Sequence, residues 1–184
     1  MQIISPWVAA ILGVAVSFSA CGDADGVPDG SAREAPSDRP WADNTGPTNI
    51  GALVPSGTTT ISTDGALLEN VDLSGMLIID ADDVTVRNFR VQASSSYGVR
   101  VIDGHRGIVM EDGEIYGMSS AAILGVGFTA RRLHIHDSSG DGIKAQGSGG
   151  PTLVESCFIE RLGKGEGAHA DGNQTRGGSN ITFR

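Results

Sequence analysis

Aromatic residues make up 5% of this 184-residue chain, and glycine is abundant at 27 residues. A helical bundle tolerates few chain-breaking glycines in its interior, so the composition disfavours that class, and an all-β chain with many tight turns is expected. Positive charge is also short: 13 Lys and Arg stand against 22 Asp and Glu, for a formal net charge of −9. A nucleic-acid backbone is therefore not an expected partner. The length suffices for one domain with a real core.

Charge is missing altogether from the first twenty residues, "MQIISPWVAAILGVAVSFSA", which end in small side chains just before Cys21. This reads as an export signal, residues 1–20. "FSAC" resembles the bacterial lipobox, with Phe18 in place of the usual Leu, and the resemblance implies lipidation at Cys21. An ordinary cleaved signal and a membrane anchor are the alternatives. The expected location is the cell envelope or the exterior, with membrane contact only through the N-terminal lipid. Cysteine is scarce too: with Cys21 used in this way, Cys157 has no disulfide partner in the chain. Residues 21–49 nearly lack aliphatics and are rich in Asp, Pro, Gly and Ser, which predicts a flexible acidic tether with Trp41 as the one residue able to dock.

Residues 50–184 form the expected domain, and from Ala66 onward it is a repeat. The lines "ALLENVDL", "VTVRNFRV", "IVMEDGEI", "FTARRLHI", "TLVESCFI" and "ITFR" stack on one another, each with two alternating runs. Alternation at period two predicts strands with one buried face. Leu68, Val86, Met110, Ala130, Val154 and Phe183 share one inward column. Two more are Val71, Phe89, Gly113, Leu133 and Cys157, then Leu73, Val91, Ile115, Ile135 and Ile159. Between the runs, Asn70, Asn88, Asp112, Arg132 and Ser156 mark a bend that favours left-handed backbone angles. The outward column Glu69, Arg87, Glu111, Arg131, Glu155, Arg184 alternates in sign at every step. Parallel strands stacked about 4.8 Å apart would bring each charge beside its opposite. A second outward column begins alike, with Asp72, Arg90, Glu114 and His134.

A third short strand follows in each unit: "SGMLII", "YGVRVI", "AAILGV", "DGIKAQ" and "DGNQTR". Three strands per turn, each stacked on its counterpart, describe a parallel β-helix of about five coils. The whole stretch 50–184 resembles a right-handed parallel β-helix of the pectin-lyase-like superfamily. "PTNIGALVPSGTT", "ADDVTVRNFRV" and "HADGNQTRGGSNITFR" are similar to secreted bacterial β-helix proteins of mostly unassigned function. The resemblance implies a monomer acting on a polysaccharide, since the known enzymes of that superfamily are largely lyases, hydrolases and epimerases of uronate polymers. Other members are adhesins and phage spikes, so fold alone leaves activity open.

The alignment places Met76, Val99, Ile123, Ile143 and Asn173 in the inward column of the third strand, Asn173 being the odd member. Asp141 and Asp171 then start adjacent coils, with Lys144 and Gln174 further along them. The connection from Ile159 to Asp171 is twice as long as those from Val91 to Tyr97 and from Ile135 to Asp141, and it carries Lys164, Glu166 and His169. Insertions on repeat scaffolds collect on one face and wall a groove. Stacked Asp141 and Asp171 are candidate ligands for Ca²⁺, as in the lyases of the superfamily. Lys144 or His169 would be the base in such chemistry, with Asp171 beside it. Hydrolysis by paired carboxylates is a second possibility. The simpler reading is that Asp-Gly pairs start the strands and Lys144 pairs with Asp141.

A non-catalytic carbohydrate-binding or adhesion module is the alternative function. His134 and His136 alternate with Leu133 and Ile135 and are expected to face solvent. Cys157, inward, is expected to be an inert thiol. Because the last line stops at Arg184, partway through a coil, the chain is expected to continue beyond it.

Overall fold

The computed structural model describes residues 39–184; the apolar leader, Cys21 and most of the acidic segment lie outside them. The strands form the expected right-handed parallel β-helix of about five coils. The first sheet stacks β1 (Val54–Ser56), β3 (Leu67–Ser74), β5 (Thr85–Gln92), β7 (Ile108–Tyr116), β9 (Phe128–Arg131), β12 (Thr152–Glu155) and β15 (Ile181–Phe183). In the upper coils its second half is separate, as β10 (His134–His136) on β7 and β13 (Phe158–Glu160) on β10. The second sheet stacks β2 (Thr59–Ile61), β4 (Leu77–Ile79), β6 (Tyr97–Val101), β8 (Ala121–Leu124), β11 (Asp141–Gln146) and β14 (Asn173–Arg176). The pairings between these strands are parallel.

The columns of the first sheet pair as the repeat predicts. Leu68 lies beside Val86, Val86 beside Met110, Met110 beside Ala130, and Ala130 beside Val154. Leu73, Val91, Ile115, Ile135 and Ile159 form the parallel row. These side chains meet those of the second sheet in one continuous apolar core. The bend between the rows holds Asn70, Asn88, Asp112, Arg132 and Ser156 at φ of 58°, 46°, 55°, 53° and 52°. Left-handed angles are costly for residues with a Cβ, so polar side chains compensate there. Asn88 Nδ2 donates to Asn70 Oδ1 at 2.8 Å, and Arg132 grips Asp112 with two bonds of 2.7 and 2.9 Å.

One expected register is corrected. Leu77, not Met76, pairs with Val99, and Leu77 and Ile79 are the fully buried residues of β4. In this coil only Gly75 and Met76 separate β3 from β4, so counting from the longer connections above slips the strand by one residue. A slip of one exchanges the two faces of a strand.

Residues 39–49 lie against the coils. Gly46 N–H donates to Arg132 O at 2.9 Å, Asn49 N–H to Asn88 Oδ1 at 2.8 Å, and Asn88 Nδ2 back to Asn49 O at 3.0 Å. Trp41 does dock: its ring packs on Phe158 with centroids 5.2 Å apart.

Candidate functional site

Asp141 opens β11 and is almost fully buried at 6% exposure. Its two oxygens are both engaged: Oδ1 accepts the Asp171 backbone N–H at 2.9 Å, and Oδ2 meets Lys144 Nζ at 2.8 Å. Burial pushes this carboxyl up, but the Asp171 N–H and the Lys144 ammonium outweigh it and hold it below its ordinary value. Asp171 is exposed and accepts a bond from Gln174 Nε2 at 3.0 Å, while Gln174 Oε1 is buried with no partner. His169 is exposed on the insertion. Ca²⁺ needs six to eight oxygen ligands. Here a lysine ammonium and a backbone N–H occupy Asp141, so this donor set does not fit calcium. Asn173 keeps its register with Ile143 but is exposed, so its amide carries no desolvation penalty.

The insertion also reaches the other sheet. Lys164 N–H donates to Ser138 O at 3.1 Å, and Lys164 Nζ pairs with Asp137. This contact lies beside a cluster that the sequence reading did not assemble. On the outer face of the first sheet, beyond the bend, two columns run side by side. One holds Asp72, Arg90, Glu114, His134 and Phe158; the other holds Ser74, Gln92, Tyr116, His136 and Glu160. Bonds run diagonally between them: His136 Nε2 to Glu114 Oε1 at 3.0 Å, and His134 Nε2 to Glu160 Oε1 at 3.1 Å. His136 Nδ1 meets Asp137 Oδ2 at 2.7 Å, and Arg161 holds that carboxylate at 3.1 Å through both Nε and Nη2. Both histidines point away from the core as alternation requires, yet their side chains are only 13% and 9% exposed. Rings account for much of the cover. Tyr116 stacks on His136 at 5.1 Å, His134 lies 4.3 Å from His136, and Phe158 lies 5.5 Å from His134.

The two histidines are driven apart electrostatically. The Glu114 carboxylate, with Asp137 behind it, raises His136 against the effect of burial, whereas burial dominates at His134 and lowers it. Glu114 is held below the usual carboxylate range, chiefly by His136, and Asp137 far below it, chiefly by Arg161. Among the described residues, Glu114, His134 and His136 are the group whose ligand atoms converge.

Next to this row, the 39–44 segment roofs a cleft of about 310 Å³ lined by Arg39, Pro40 and Asn44 on one side and Arg131, Arg132, Glu155 and Ser156 on the other. Arg131 and Arg132 are already paired, with Glu155 and with Asp112 and Glu111. Arg39 has no carboxylate partner among the described residues, and Trp41, two residues further along the segment, leaves 49% of its surface open. The signal for this face was Trp41 alone, because the strap belongs to no repeat.

No curated protein and no solved structure matches the chain. The family described as right handed beta helix region matches residues 74–184, more than half of the sequence. With strands paired in parallel through successive coils around one core, the chain belongs to that right-handed β-helix family.

Proposed function

We propose that this β-helix domain is an exported glycan-binding module that holds a uronate-containing polysaccharide on the face carrying Trp41 and Arg39. The observation that carries the reading is Trp41, half-exposed and backed by Phe158, in the same short segment as Arg39, which lines a cleft and has no carboxylate partner among the described residues. A pyranose presents C–H bonds on its faces and hydroxyls or a carboxylate at its rim. An indole face suits the former, and a guanidinium binds the latter in a planar, two-bond geometry. A cleft of about 310 Å³ lies at the small end of ligand sites, the size for one sugar unit of a longer chain. The uncharged leader supports export. Binding is favoured over cleavage because Asp141 and Lys144 are engaged with each other, and they and Asp171, just before β14, belong with the second sheet, away from the Arg39 cleft, which is lined by first-sheet residues.

Titration of the protein with pectate, alginate and a neutral glucan, with calcium and with chelator, tests this. Binding should prefer the uronate polymers. Trp41→Ala should weaken it by about tenfold or more, the scale of an aromatic anchor, and Arg39→Gln should erase the preference over the neutral chain. No binding by the folded protein, or binding indifferent to Trp41, would sink the proposal. Release of unsaturated or reducing ends from the polymer would replace it with a catalytic reading.

A further inference from the structure

We propose that Glu114, His134 and His136 form a binding site for a divalent first-row transition ion, with Zn²⁺ as the reference probe. This site stands apart from glycan binding. One ligand atom from each of the three side chains lies within 4.8 Å of the other two. Strand pairing brings them together: Glu114 and His134 are neighbours in one outward column, and His136 stands on the same face of β10. Two imidazoles and one carboxylate are a borderline donor set that suits zinc and its neighbours, whereas calcium and magnesium take oxygen. His136 Nε2 and Glu114 Oε1 are 3.0 Å apart. Two ligands of a tetrahedral zinc at about 2.0–2.1 Å stand about 3.3 Å from one another. That pair is already at coordination spacing, and a modest closing movement of His134 completes the set.

The surroundings are those of a supported site. Asp137 Oδ2 lies on His136 Nδ1 at 2.7 Å, which turns Nε2 toward Glu114; a carboxylate on the far ring nitrogen is the usual means of fixing a metal-bound histidine. Asp137 is itself held by Arg161 and by Lys164 from the insertion, so the insertion stabilises this face. Tyr116 stacks within 4° of parallel on His136, and Phe158 packs on His134, which limits their rotation. Glu160, on His134 Nε2, supplies a second carboxylate at the rim. Three protein ligands on one sheet face leave an outward position for water or another ligand.

The test uses the full chain, stripped with chelator and dialysed against Zn²⁺, with metal counted by atomic emission and affinity read by calorimetry. One zinc per chain is expected. His136→Ala, His134→Ala and Glu114→Gln should each weaken uptake by at least a hundredfold, and Asp137→Asn by about 10- to 100-fold. His105→Ala should leave it unchanged. Co²⁺ should give a visible absorption band that Glu114→Gln alters and His136→Ala abolishes. Glu114→Gln and Asp137→Asn preserve shape, so they decide the matter should the histidine variants misfold. A folded chain that takes up no stoichiometric zinc, or whose uptake survives Glu114→Gln and His136→Ala, overturns the site and leaves an ion-pair cluster. Loss of glycan binding in Trp41→Ala would not touch this result, and absence of zinc would not touch the glycan reading.

Discussion

Cys157 sits in the column begun by Val71 and Phe89, where its thiol donates to Glu155 O at 3.4 Å and Ala130 O at 3.6 Å. Burial pushes that thiol up to about 11, against the modest help of nearby backbone N–H groups. Only the thiolate attacks alkylating agents. At pH 8 iodoacetamide should therefore modify Cys157 on the order of a hundred times more slowly than free cysteine, whose pKa is about 8.5. Denaturant should abolish the difference, and mass spectrometry of the Cys157 peptide reads it directly. This much was legible, since an apolar column gives a lone cysteine an apolar environment. His136 was not. Alternation correctly pointed it outward, but whether an outward residue is covered depends on diagonal neighbours such as Glu114 and on flanking rings, which a single-strand pattern does not encode.

Among the elements, β5 and β7 show how one column is filled. Phe89 lies directly beside Gly113, and a Cβ placed on Gly113 would come within 2.3 Å of the Phe89 ring. The glycine is thus the space into which the phenyl fits, and the pair acts as one large side chain shared by two coils. Gly113→Ala should destabilise the fold by about 1–3 kcal/mol through overpacking. Adding Phe89→Leu should recover part of that loss, giving a favourable coupling of about 0.5 kcal/mol or more in a double-mutant cycle measured by urea unfolding. Purely additive losses would refute the fit. The register between these long strands was readable because the alternating charges of Glu69, Arg87, Glu111 and Arg131 constrain it independently of the apolar columns. In the finished ladder Glu69 pairs with Arg87, Glu155 with both Arg131 and Arg184, and Glu111 with the bend residue Arg132. The β4 register slipped because four consecutive apolar residues, Met76 to Ile79, offer no such independent check.

For the whole molecule, the repeat made the solenoid legible, while the strap of residues 39–49 was not, because it repeats nothing and is held by a few bonds, a reciprocal pair to the Asn88 bend and one to the Arg132 bend. Electrostatics also acts at this scale. Asp72, Asp82, Glu114, Asp137, Asp141, Glu155 and Glu160 are all held below their ordinary values of 3.8 or 4.5 by basic partners and N–H donors. A carboxyl lowered on folding adds stability above its unfolded pKa and loses it as pH falls through the folded one. His105 shifts the other way, raised by Asp82 first and Asp80 second, with ring nitrogens at 2.9 and 3.0 Å from them. Its contribution is complete below its ordinary 6.5 and is lost as pH rises through the raised value. His134 and His136 shift in opposite directions, His134 lowered by burial and His136 raised by Glu114. Above neutrality an acidic chain of net charge −9 also loses the cationic histidine charge that tempers its self-repulsion. Stability should therefore peak between about pH 5 and 6.5, on the acidic side of neutrality. Urea midpoints measured at pH 3, 5.5 and 8.5 should rise and then fall. His105→Ala should flatten the alkaline limb while leaving most of the acid limb, which the other carboxylates carry. A midpoint that stays level from pH 5.5 to 8.5 would show that the His105 pair contributes nothing and that the carboxylates alone govern the pH response of the coils.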